Sequence, residues 1–474
     1  MTGPPAPSSP PAPLGAGRSG DLRDPRNLRN LRDLRNLRNL RNLRDRLLRV
    51  PWWLGVLAIW GVSRAITTGI LLWFAARQGE NAWTSASPGY LDFARLWDAH
   101  WYYIIAAVGY PDEIPRDESG LAGESAWAFM PVYPGLVRIG MALSGDFSAQ
   151  GFATVAVTIS VLASLAAALL FYALARRWLS AGSAMLGTAL FCVAPLSPIL
   201  QVGYAESLHL ALLLGALILV LDRRWVVLPF VVTIMALTRP SGLAFALLLV
   251  LVWGWRWMRR VDEPFETVER VRLGAAAVVA GLAGLAWPGI VALATGDVFG
   301  YTDTELAWRR PYIGDVELLP FTPWWQGAQW WGEQVWWPAP AVPGVSWLTG
   351  AVLGPVILVA MLVLCAAAFA LPAMRRMPIE LRFWIVAYAL YLLAVFFPQS
   401  STFRLLVPLA PVLGAVALAI ANVGTGRVGR RWSPRVAHVA RVLLVVLAIT
   451  LGIVGQIVWV HIGWSVDGSD WTPP

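Results

Sequence analysis

Trp97-Asp98-Ala99-His100-Trp101-Tyr102, with Gly109-Tyr110-Pro111 shortly after it, follows directly on the first segment apolar enough to cross a bilayer, residues 52–76. A carboxylate and an imidazole among aromatic rings are costly so close to a membrane, so a polar cluster there is a functional-site candidate. The rest of the chain decides which side the cluster faces.

Composition makes this a polytopic membrane protein. The 474 residues are 57% hydrophobic and 14% charged, against about 45–50% apolar and about 25% charged in soluble domains. Mean hydropathy is +0.60. All 37 basic residues are arginine, and the net charge is +9. They fall mainly in short runs between apolar segments, which points to membrane topology and away from nucleic acid. Cys192 and Cys365 both sit in apolar stretches, with neither disulfide nor metal spacing.

A span needs roughly 20 apolar residues. About eleven segments read as spans, those within 205–257 being short for one: 52–76, 151–174, 183–201, 205–221, 225–240, 241–257, 272–295, 346–371, 381–398, 404–422 and 441–462. The fold class expected is therefore an all-α bundle of about 11 transmembrane helices. Residues 1–50 read as a disordered, arginine-rich tail, with Leu-Arg-Asn/Asp repeating about every three residues over 21–46. A period of three drifts around a 3.6-residue helix and builds no apolar face. Residues 51–462 form the multispan domain, and 463–474 a short tail.

Placing the N-terminus in the cytoplasm puts the arginines at 176–177, 223–224, 256–272, 375–376 and 427–441 on that same side. The long connections 77–150 and 296–345, rich in Asp, Glu and Trp, then face outward, as does the C-terminal tail. The location expected is a plasma membrane with the site outside the cytoplasm. Residues 92–107 read as an interfacial helix with Leu91, Leu96, Trp101 and Ile104 toward lipid. Residues 127–143, with Pro131 and Pro134, read as a short re-entrant segment, since a full span there would break the charge pattern.

Asp98 is the first candidate for chemistry. Between Trp97 and Trp101 it would be partly desolvated, as suits a general base; the alternative is a helix cap or a pair with Arg95. His100 would orient a substrate or simply lie on the surface. Trp97, Trp101 and Tyr102 supply aromatic faces. Glu206 opens a span on the outer side, where it would cap a helix or line a cavity. Arg239 and Arg404 break the positive-inside pattern and so call for an anionic partner, a lipid phosphate or a cavity carboxylate. Arg138 is a weaker third. The tryptophan pairs of 324–337 read mainly as headgroup anchors. No glycine phosphate loop, nucleophile elbow or His/Cys metal pattern occurs.

With these residues assembled, the chain resembles the PIG-V family of mannosyltransferases and its bacterial relatives, within the GT-C class of multispan glycosyltransferases. The resemblance rests on Trp97-Asp98 to Tyr110, Ala128-Phe129-Met130-Pro131-Val132-Tyr133-Pro134, Tyr204-Ala205-Glu206-Ser207 and Thr238-Arg239-Pro240-Ser241-Gly242, in that order over about 50–420. Met130 stands where a bulkier residue is expected. The resemblance implies a sugar, mannose first, moved from a polyprenyl-phosphate donor to a glycolipid, glycan or glycoprotein acceptor with inversion. It implies Asp98 as catalytic base, and Trp97, His100, Trp101, Tyr102, Arg138, Glu206, Arg239 and Arg404 as substrate-binding residues. No cofactor is demanded by the motifs; a divalent cation, Mg or Mn, is the one that would assist the leaving phosphate. Membrane lipids are the other expected partners. The rival reading is a transporter or lipid flippase without chemistry, which should show repeated halves with broken helices.

Overall fold

The computed structural model describes Gly3 and residues 51–316, 318–336, 349–426 and 432–466; the rest of the expected 1–50 tail with its 21–46 repeat, and residues 467–474, lie outside these residues, while Trp464 and Val466 of the expected 463–474 tail are buried. Each expected span coincides with helix. These are α1 (Trp52–Ala75), α5 (Ala149–Ala175), α6 (Ala181–Cys192), α7 (Glu206–Leu221) and α8 (Leu228–Ala236). They continue with α9 (Gly242–Met258), α10 (Thr267–Thr295), α14 (Gly350–Phe369), α16 (Ile379–Val395), α17 (Val412–Ala421) and α18 (Pro434–Trp459). Among the described residues the only β-pairing is one isolated bridge, Arg116 to Ala122.

Length separates these helices. Five are long and apolar enough to cross a bilayer alone: α1, α5, α10, α14 and α18 continued to Trp464. A sixth arises if the 3₁₀ stretch Ser400–Leu409 and α17, bent by 68° against each other, count as one span. Helices α6, α7 and α9 are apolar but shorter than the roughly 20 residues a span needs, and turns adjoin them. The 3₁₀ stretch Ser197–Gln201 between α6 and α7 is one such turn.

Small residues let the helices close on one another, as membrane packing requires. Gly242 of α9 and Gly284 of α10 meet backbone to backbone: a Cβ on Gly284 would come within 2.6 Å of the Leu243 nitrogen. Charge inside the bundle is answered by backbone. Arg64, on α1, donates to the carbonyls of Cys192 (2.9 Å) and Ser197 (2.8 Å), occupying acceptors left free at the end of α6. Gln456 of α18 bridges the Thr67 hydroxyl (2.8 Å) to the Val193 carbonyl (3.1 Å).

Ion pairs sort the connections into two ends. At one end Arg177 meets Asp222 at 2.6 Å, while Glu269 receives Arg256 at 2.9 Å and faces Arg223 at 3.9 Å. These are the arginine-bearing loops that the charge pattern grouped together. At the other end the two long loops join, Arg116 to Asp297 at 2.6 Å and Arg310 to Asp117 at 3.6 Å.

The expected interfacial helix 92–107 is two helices, α2 (Tyr90–Phe93) and α3 (Asp98–Val108). Trp97 breaks them with a left-handed backbone (φ 59°), a conformation that costs an ordinary residue roughly 1–3 kcal/mol and needs outside support. Its indole supplies that support, donating to the Trp464 carbonyl at 2.8 Å. Leu96, expected toward lipid, is fully buried in the core. The short segment after it is α4 (Val132–Ser144), 13 residues and too short to span, preceded by the 3₁₀ turn Ala126–Ala128.

Candidate active site

Asp98 is the first residue of α3, and the break at Trp97 aims it inward: it is 6% exposed. Its backbone N–H, one of the donors a helix start leaves free, is taken by the Tyr204 hydroxyl at 2.9 Å. The Gly203 N–H donates to the Ala94 carbonyl at 2.9 Å. Together these contacts pin the segment ahead of α7 to the break between α2 and α3. Glu206, at the first turn of α7, is thereby brought beside Asp98 although 108 residues of chain separate them.

Two arginines complete the group. Arg404, from the 3₁₀ stretch Ser400–Leu409, donates through one NH group to Asp98 Oδ2 and lies 3.9 Å from Glu206 Oε1. Its guanidinium also covers the Tyr204 ring, 5.4 Å from the centroid. Arg239, just after α8, donates to Glu206 Oε1 at 2.7 Å. Two carboxylates and two guanidinium groups thus form one balanced, enclosed network. Glu206 Oε2 and Arg404 Nε are buried in it without a hydrogen-bond partner. Such groups are expensive to leave unpaired, so the network has capacity for a further polar ligand.

The network opens on a cavity of about 360 Å³, within the range of roughly 300–1,000 Å³ usual for ligand sites. Asp98, Arg239 and Arg404 line it on the charged side. Aromatic residues form much of the remainder, among them Tyr102, Trp287, Tyr301, Trp308, Tyr388 and Tyr391. His209, one turn beyond Glu206 on α7, also lines it and shares a hydrogen bond with Ser241 at 2.8 Å.

The candidates of the sequence divide by position. Asp98, Tyr102, Glu206, Arg239 and Arg404 come together. Trp97 lies buried beneath the site as the support of the helix break, and Trp101 stacks on Phe129 with ring centroids 5.9 Å apart. Neither is on the cavity wall. His100 is exposed, since it points away from Asp98 as positions i and i+2 of a helix must. Arg138 is also exposed and donates to the carbonyls of Ala106 (2.7 Å) and Ala107 (2.9 Å), where it closes the C-terminus of α3. Arg95, the alternative partner of Asp98, pairs with Asp92 at 3.0 Å instead.

Sequence reading passed over Glu305. It lies on α11 (Gly300–Ala307), within the second long loop, and lines the cavity. Enclosure pushes its carboxyl up to about 7, against a hydrogen bond from Tyr301 and the positive charge of Arg239, which favour the ionised form. Two tryptophans of the same loop turn into the protein, Trp324 donating to the Leu392 carbonyl at 2.9 Å and Trp331 to the Pro398 carbonyl at 2.7 Å, whereas Trp325 and Trp336 stay exposed. Asp98 and Glu206 already face arginines, and among the described residues no three or more metal-ligating side chains come together.

The chain is similar to an archaeal oligosaccharyltransferase. The crystal structure of the Archaeoglobus fulgidus protein in the apo form aligns with a TM-score of 0.46 at 13% identity, over 88% of this chain and 56% of that one. The same protein tethered to an acceptor peptide containing the NVT sequon gives 0.43 at 14%, over 85% and 55%. In complex with an inhibitory peptide and a dolichol-phosphate it gives 0.43 at 13%, over 88% and 56%. This chain spans little more than half the length of those chains. No family model and no curated protein matches it.

Proposed function

We propose that the protein is a membrane glycosyltransferase that moves a sugar, mannose in the first instance, from a polyprenyl-phosphate donor to an acceptor hydroxyl outside the cytoplasm. One observation carries the reading: Asp98–Arg404 and Glu206–Arg239 are buried side by side, and Asp98, Arg239 and Arg404 of this network line a ligand-sized cavity. Two enclosed guanidinium groups suit a phosphate, which each can hold through paired N–H donors. The aromatic walls suit the faces of a sugar ring.

In this reading the reaction runs in steps. Without donor, Asp98 Oδ2 is engaged by Arg404. A donor phosphate placed against Arg404 and Arg239 competes for the Arg404 fork and releases Asp98. The freed carboxylate takes the proton of the acceptor hydroxyl as that oxygen attacks the anomeric carbon. The bond from that carbon to the phosphate oxygen breaks, the phosphate leaves with the electron pair, and the configuration inverts. The arginines are already in place to stabilise the charge that develops on the phosphate, so little reorganisation is needed during the reaction.

The test uses purified protein in lipid, supplied with radiolabelled polyprenyl-phosphate mannose and a membrane extract of acceptors. Wild type is expected to pass label into a product, and Asp98→Asn to insert normally and pass none. A protein that carries the labelled lipid across vesicles without transfer would be a transporter, and the enzyme reading would fall.

A further inference from the structure

Around the cavity two charged side chains stand outside the buried ion-pair network, Glu305 and Arg309. Asp98 and Glu206 oppose Arg404 and Arg239, two against two. Glu305 stands apart: among the described residues it has no ion pair. Its side chain lies on the cavity wall with Tyr301 of its own helix and Tyr391 of α16. It feels Arg239, Asp98 and Arg404 electrostatically across the same cavity. Its charge state therefore decides whether a donor phosphate placed against Arg239 and Arg404 meets one more negative charge on the same wall.

We propose that Glu305 couples donor binding to a proton: the cavity takes up the anionic donor together with one proton on the Glu305 carboxyl. The inference rests on the phosphate-binding reading of Arg239 and Arg404. A carboxylate left charged beside a bound phosphate in an enclosed, aromatic site is penalised by like-charge repulsion as well as by desolvation. Protonation removes both costs, and the neutral carboxyl can then donate a hydrogen bond to the donor. No bond is made or broken in this step other than the one to the proton, which comes from solvent.

Linkage fixes the sign. In the free protein Glu305 holds its proton up to about pH 7. An anion that binds the protonated form better raises that value further. Donor affinity is then full below neutrality and falls as pH rises past it. A shift of one pKa unit on binding corresponds to roughly a tenfold loss of affinity on the alkaline side.

The experiment measures binding of polyprenyl-phosphate mannose to the full chain in lipid nanodiscs from pH 5.5 to 8.5. This donor is a phosphodiester, so its single charge is constant over that range, unlike that of a phosphate monoester, whose second pKa is about 6. Calorimetry at pH 7.5 in buffers of different ionisation enthalpy counts protons. Wild type is expected to bind about tenfold more tightly at pH 6 than at pH 8.5 and to take up a proton. Glu305→Gln, a permanently neutral side chain, is expected to bind at pH 8.5 as tightly as wild type does at pH 6, with no proton uptake. Glu305→Asp should keep the pH dependence. A Glu305→Gln protein with the wild-type pH profile, or weaker than wild type at every pH, overturns the inference. Absence of binding by wild type at any pH would instead overturn the phosphate-binding reading beneath it.

Discussion

Replacing Arg404 with Met should expose the energetics of the buried network. The side chain is 10% exposed, that of Asp98 7% and that of Glu206 4%, so none of the three can recover much hydration where it stands. Wild type balances two carboxylates against two guanidinium groups. Arg404→Met leaves two against one, with Asp98 unpaired. Breaking a buried pair from one side costs about 3–5 kcal/mol. Asp98→Asn errs in the opposite direction, and there Arg404 keeps Glu206 as a more distant partner, 3.9 Å away. The double variant restores neutrality through Glu206 and Arg239. Coupling within a shared ion network runs to roughly 0.5–3 kcal/mol, so the double variant should be more stable than Arg404→Met alone. The assay is reversible unfolding of the purified protein from mixed micelles by SDS, followed by tryptophan fluorescence, for wild type, both single variants and the double. Losses that simply add, or an Arg404→Met protein as stable as wild type, would refute the idea that these charges depend on one another.

Three further outcomes follow from the structure. Gly284→Ala should destabilise the protein by about 1–3 kcal/mol, read by the same unfolding assay, because the new Cβ runs into the backbone of Gly242 and Leu243 rather than into a side chain that can move. Arg138→Ala should cost about 1 kcal/mol, the scale of a lost helix-end hydrogen bond, and leave donor affinity unchanged, since Arg138 closes α3 at the end away from Asp98. With Cys365 replaced by Ala, Ser119→Cys in the first long loop should react with an impermeant maleimide on intact cells, and Val261→Cys in the arginine-bearing loop only after permeabilisation. The reverse pattern would invert the proposed orientation.

Much of the site was legible in the sequence because an isolated charge among apolar residues stands out. Asp98, Glu206, Arg239 and Arg404 were all visible on that ground. Their pairing was not: Arg404 and Asp98 are 306 residues apart, and no local pattern links them. The break at Trp97 was invisible for a different reason. Chains usually signal a left-handed residue with Gly or Asn, whereas here tertiary hydrogen bonding to Trp464 holds an aromatic residue there. Leu96 was placed toward lipid on the assumption of one continuous helix, and the break turned it inward. Glu305 was hidden by its neighbourhood. Its loop is dominated by tryptophans that read as membrane anchors, and an acidic residue in an outward loop usually means nothing more than solvation. Only the fold, which returns α11 over the cavity, gives it a role. His209 was overlooked because a histidine inside an apolar span resembles a core residue, and its partner Ser241 lies beyond another helix. The helices were read at the right places, and the short segments of 205–257 are short helices in the structure as well.

The most direct measurement is a single turnover. Wild type and Asp98→Asn, each in liposomes loaded with polyprenyl-phosphate mannose and acceptor extract, would be quenched over time and assayed for free polyprenyl phosphate and labelled product. The account predicts both products in equal amounts from wild type. It predicts a rate lower by at least about 10²–10⁴, the contribution of a general base, from Asp98→Asn although donor binding is not weakened. Wild-type turnover by Asp98→Asn would contradict it.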